Sequence, residues 1–149
     1  MKPLLPALLL AMTAALPMSA HAGPKADALA ACLGDNTTGK DRKDLARWMF
    51  VAMAAHPEIK ELSKASEAAR DEADQIMGRL VTTLLAERCP AQTREVMQQE
   101  GTAGMFNAFR VLGELAMKEL MSNPEVSKSL GSYERYLDQA KLKAALGDR

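Results

Sequence analysis

Residues 66–88 read SEAARDEADQIMGRLVTTLLAER, and the spacing of their apolar members decides the fold class. Ala73, Ile76, Met77, Leu80, Val81 and Leu84 recur three and four residues apart. That spacing stacks side chains on one face of an α-helix, whereas a half-buried strand would alternate with period two. Ser63 or Ser66 is placed to cap the helix start, because a side-chain oxygen there accepts from free N–H groups of the first turn. Glu67, Arg70, Asp71, Glu72 and Asp74 are assigned to the water-facing side. Two carboxylates could flank a glycosidic bond as acid and base, but a charged run of this kind on a helix reads as a solvated face.

The same reading extends both ways. Residues 24–33 form a short helix with Pro24 in its first turn and Gly34 at its end. Residues 34–40 form a polar loop, and Asp41 or a neighbour caps a helix that runs to Ala55. From Trp48 onward that helix has almost no polar face. A helix apolar all round is usually buried, so 48–55 is predicted as the central core helix. His56-Pro57-Glu58, Cys89-Pro90 and Asn123-Pro124-Glu125 each end one helix and begin another, since proline suits the first helical position. Downstream, helices are expected over 90–99 and 102–122. In the second, Met105, Phe106, Phe109, Leu112, Ala116 and Leu120 point inward and Gly113 marks a close crossing. A last helical stretch, broken near Gly131, carries Tyr133, Tyr136, Leu137 and Ala140. The expected architecture is an all-α, compact bundle of five or six helices forming one domain, 23–149.

The start of the chain sets the compartment. Lys2 gives a positive start, residues 4–18 are an apolar run, and Ala20-His21-Ala22 is a small-x-small cleavage pattern. This reads as a signal peptide over 1–22, cut between Ala22 and Gly23. A bilayer span needs about 20 apolar residues, so the run is no anchor, and the mature chain is expected in a periplasm or secreted. Two cysteines survive, Cys32 and Cys89. In an oxidising compartment they predict one disulfide, worth roughly 4 kcal/mol in the chain-entropy account. A rival reading takes Leu29-Ala30-Ala31-Cys32 as a lipobox with Cys32 lipidated, but Lys25 and Asp27 separate it from the apolar run.

The chain holds 19 basic and 19 acidic residues. A nucleic-acid binder carries a basic excess or stripe, so no nucleic-acid partner is expected. Gly34-Asp35-Asn36-Thr37-Thr38-Gly39-Lys40-Asp41 nearly matches a phosphate-binding loop. Asp41 stands where the pattern needs a hydroxyl, and the preceding segment reads helical where it needs a strand. His56 is the only histidine past the leader, too little for a zinc site and with no evident nucleophile for a triad. Met49/Met53 and Met117/Met121 share helix faces, and thioethers suit Cu(I), yet methionine at this spacing is ordinary core filling. Asn36-Thr37-Thr38 also fits a glycosylation triplet. No cofactor, metal or catalytic residue is assigned.

The expected function is therefore recognition: a small exported inhibitor, immunity-type protein, chaperone or envelope factor that binds an exported or envelope protein. The polar segment with Asp35, Asn36, Thr37, Thr38, Lys40, Arg42 and Lys43 is its expected interaction loop. The alternative is a small exported hydrolase or ligand carrier with a pocket in the bundle.

Overall fold

In the computed structural model of the chain, which describes residues 23–147, helices follow one another almost without linkers. They are α1 (Pro24–Asp35), α2 (Gly39–Met53), α3 (Pro57–Lys60), α4 (Glu67–Thr82), α5 (Pro90–Gln99), α6 (Gly101–Met121), α7 (Pro124–Gly131) and α8 (Gln139–Leu146). A π-helical turn, Thr83–Arg88, carries α4 on to Arg88, and a 3-10 turn, Ser132–Tyr136, follows α7. No strand occurs among the described residues, so the chain is all-α, as the periodicity predicts. α1, α2, α4, α5 and α6 build the compact body, while α3, α7 and α8 contribute no buried residue. The predicted signal peptide, with Ala22 of the cleavage pair, lies outside the described residues, and Gly23 is the first within them.

Local chemistry sets the helix starts. The Ser66 hydroxyl caps α4, accepting from the Ala69 N–H at 3.2 Å. Asn123 Oδ1 caps α7, accepting from the N–H groups of Glu125 and Val126. Thr38 and Asp41 cap α2 reciprocally, each side chain accepting from the other's N–H. α1 has no cap on its own N-terminal residue. Glu100 supplies one from the α5–α6 corner. Its carboxylate accepts from the Lys25 N–H at 2.8 Å and the Ala26 N–H at 2.9 Å. A carboxylate there meets both the free donors and the positive end of the helix dipole. Glycine at position 23 makes the room, since a Cβ would lie 2.1 Å from Glu100 Oε1.

The core sits on α1, not on 48–55. Leu29 and Leu33 of α1 are fully buried, with Leu84, Val96 and Ala108, and Leu112 of α6 nearly so. α2 was expected at the centre. It buries Leu45, Ala46 and Val51 but leaves Phe50 55% and Met53 58% exposed. The reason is steric. Ala26 and Ala30 on α1, with Ala108 and Ala116 on α6, are buried small residues, and at Gly34 of α1 a Cβ would lie 3.0 Å from Leu115 Cδ1 of α6, so the two helices pack closely. α2 then packs from outside, on α4 and α6. Of the inward stripe expected on α6, Leu112 and Ala116 are buried and Met105 and Phe109 pack against the core, while Phe106 is 71% and Leu120 38% exposed. Gly113 marks no crossing, for a Cβ there meets nothing within 4 Å. The close approach is at Gly104, where a Cβ would lie 2.6 Å from Glu100 Cβ and 3.0 Å from Val96 Cγ1.

Cys32 and Cys89 are bonded, closing a separation of 57 residues. The bridge ties the last turn of α1 to the start of α5. Ala26, Leu29 and Ala30 precede Cys32 and are buried, so processing at Cys32 would strip three residues from the core.

Replacing both cysteines by alanine lowers the unfolding free energy by about 2–4 kcal/mol. Denaturant titration followed by helical circular dichroism measures it, and an unchanged midpoint refutes the bridge as a staple. The two glycines of α6 respond oppositely. Gly113→Ala stabilises by about 0.5–1 kcal/mol, whereas Gly104→Ala destabilises by about 1–3 kcal/mol because its Cβ displaces Glu100.

Candidate functional site

The segment expected as one loop is a helix–helix corner. α1 ends at Asp35 and α2 begins at Gly39. Much of it is turned inward. Asn36 Nδ2 donates to the Cys32 carbonyl at 2.9 Å, so the glycosylation triplet presents a committed, half-buried amide. Thr37 is buried and its hydroxyl donates to the Gly34 carbonyl at 3.0 Å. Arg42 donates to the Thr37 carbonyl at 2.9 Å and pairs with Glu119 of α6 at 3.3 Å. Asp35, Thr38, Lys40 and Lys43 are exposed, and Thr38 is committed to the cap.

The corner feeds two recesses. Asp35 and Arg42 border a groove floored by Ala30, Val111 and Leu115. Lys40, Asp41 and Asp44 border a cleft of about 260 Å³, completed by Ile76, Leu80, Thr83, Arg79 and Arg88. Ligand pockets for small molecules run to about 300–1,000 Å³, so this cleft is sized for one or two side chains of a partner. Four of its five charges are satisfied internally. Lys40 Nζ pairs with Asp44 at 2.5 Å, and Arg88 donates to the Asn36 carbonyl at 2.5 Å. Asp41 accepts from the Thr38 N–H and hydroxyl, both at 2.9 Å. The Arg79 side chain makes no hydrogen bond or ion pair among the described residues.

Burial pushes the Asp41 carboxyl up, but the Thr38 N–H and hydroxyl, with the charges of Arg88 and Lys40, hold it below its ordinary 3.8. The Asp44 hydrogen bond raises Lys40 above 10.5. Asp41 also sets the phosphate-loop pattern apart from a phosphate-binding loop. Its carboxylate occupies the start of α2, where an anion would sit, and the element before it is a helix.

The other sequence candidates are dispersed. His56 is exposed and caps α3, its Nδ1 accepting from the Glu58 N–H at 3.2 Å. Asp74 accepts from Trp48 Nε1 at 2.8 Å and Glu72 pairs with Arg47 at 3.2 Å, so these carboxylates tie α4 to α2. Met53, Met117 and Met121 are exposed rather than core filling. No group of three or more His, Cys, Asp or Glu is placed to hold a metal among the described residues. No helix there is long and apolar enough to cross a membrane.

Arg79 and Arg88 were missed by the sequence reading for a geometric reason. Nine residues along an ordinary α-helix, at about 100° each, put side chains on opposite faces. The π-helical turn between them winds less per residue and brings Arg88 round to the cleft. Comparison with known protein families, with curated proteins and with solved structures finds no match.

Asp41 makes stability acid-sensitive. Its folded pKa lies below the unfolded value, so its contribution is complete above pH 3.8 and is lost as pH falls through the folded value. Asp41→Ala lowers stability by about 1 kcal/mol near neutrality, and its difference from the native chain shrinks below pH 3.8. Denaturant midpoints across acid pH measure this, and a pH-independent difference refutes it.

Proposed function

We propose that the chain is exported, loses residues 1–22, and acts as a small periplasmic or secreted binding protein of the inhibitor, immunity or envelope-factor kind. Its partner is an exported or envelope protein that places an acidic side chain in the cleft between the α1–α2 corner and the end of α4. The observation that carries this reading is Arg79. It is the one cation of the cleft with no partner among the described residues, over an apolar floor of Ile76 and Leu80. A guanidinium offers a planar fork of donors matched to a carboxylate. Lys43 and Asp35 are further exposed charges on the α1–α2 corner.

Export is supported by the leader pattern and by the Cys32–Cys89 bridge, which persists in oxidising compartments. The bridge and Arg88, through Asn36, hold the corner rigid. A rigid scaffold presenting a few outward charges is the usual form of a recognition surface.

The test is capture from an envelope fraction by the exported chain and by Arg79→Glu. The native chain retains a stoichiometric protein partner. Arg79→Glu weakens it about 10- to 100-fold, as loss of a charged hydrogen bond predicts, with helical circular dichroism unchanged. Equal retention by both proteins removes Arg79 from the interface. N-terminal sequencing of the same preparation is expected to begin at Gly23.

A further inference from the structure

The C-terminal quarter carries an apolar surface that the body does not use. Nine of the fifteen exposed large hydrophobic residues lie between Met117 and Leu146. Six of the nine belong to two features. The first is a groove between the end of α6 and α7, lined by Met117, Leu120, Met121, Val126 and Leu130, with Glu125 at its rim. The second is α8, every residue of which is exposed. Leu142 and Leu146 of α8 are four residues apart and so share a face. None of the groove lining comes from α8, which stands clear of it.

We propose that α8 of one copy seats Leu142 and Leu146 in the α6–α7 groove of a second copy, and that the exchange is reciprocal. An amphipathic helix in an apolar groove is anchored by i and i+4 residues in this way. Three observations select a second copy as the occupant. The groove and the helix that fits it are on the same chain, as the self-complementary interface of a two-fold dimer requires. Charge matches: α8 carries Lys141, strongly exposed and paired at 3.4 Å with its neighbour Asp138, and Glu125 is the charged residue on the groove lining. Area is sufficient as well. The six side chains of the groove and of α8, roughly half exposed, present on the order of 500 Å² of apolar surface, about the non-polar share of the ~800 Å² that each partner contributes to a standard interface. This surface is separate from the Arg79 cleft, so the proposal is independent of that binding reading.

The test is sedimentation velocity and light scattering on the exported chain over a concentration series. The native chain is expected to double its mass with rising concentration. An arm variant, Leu142→Asp with Leu146→Asp, and a groove variant, Met121→Asp with Leu130→Asp, each weaken the dimer at least tenfold. All these side chains are exposed, so circular dichroism is expected to stay native. Mixing the two variants restores a dimer, because one supplies an intact groove and the other an intact arm. A native chain that stays monomeric throughout overturns the proposal. So does a dimer that both variants leave intact, or a mixture that stays monomeric while each variant is folded.

Discussion

Helix α1 is too short to persist alone, for isolated helices under about 12–15 residues are marginal in water, yet the core is assembled around it. What holds it is the burial of Leu29 and Leu33, each worth about 1.5–3 kcal/mol, under restraint at both ends. α5 supplies both restraints. Cys89 immediately precedes α5 and is bonded to the last turn of α1; Glu100 immediately follows α5 and caps the first turn of α1. The two helices are thus clamped antiparallel, and Lys25–Glu95 adds an exposed ion pair at 2.7 Å between them. One clamp is covalent and one is electrostatic, and neither works unless α5 has the length that separates its two ends.

That arrangement explains what the sequence made legible. Helix type and punctuation are local properties. The three x-Pro junctions, Ser66, Asn123 and the apolar stripe from Ala73 to Leu84 therefore sit in the structure nearly as read. The even cysteine pair was readable because compartment and count together leave few alternatives. Which helix lies at the centre is not local. Hydropathy ranks Trp48 to Met53 above α1, but α1 and α6 meet through alanine and glycine, which hydropathy undervalues. Glu100 was illegible for the same reason: it acts across 74 and 75 positions, and nothing near it marks it as a cap.

The candidate site was half legible. The polar, basic segment before α2 does reach the surface, but only in part, because Asn36, Thr37 and Arg42 are spent holding the corner to the bridge and to α6. What makes the corner a cleft is the far end of α4. A continuous α-helix through Arg88 would send that side chain away from Lys40 and Asp41. The π-helical turn redirects it, and in that position it also fixes the Asn36 carbonyl. One irregularity in the helix thus serves both the scaffold and the surface.

The exposed apolar residues follow from the way the core is made. Ala26, Ala30, Ala46, Ala54, Ala73, Ala108 and Ala116 are all buried. A core built on alanine draws helices together and leaves little room for bulky side chains. Phe50, Phe106 and the large residues from Met117 onward stay exposed outside that core. In the body they are scattered, and single exposed apolar residues are ordinary. From Met117 onward six of the nine lie in one groove or on α8. A body closed largely by small residues thus carries an arm rich in large ones, and the arm gives the chain a surface that its own fold does not consume.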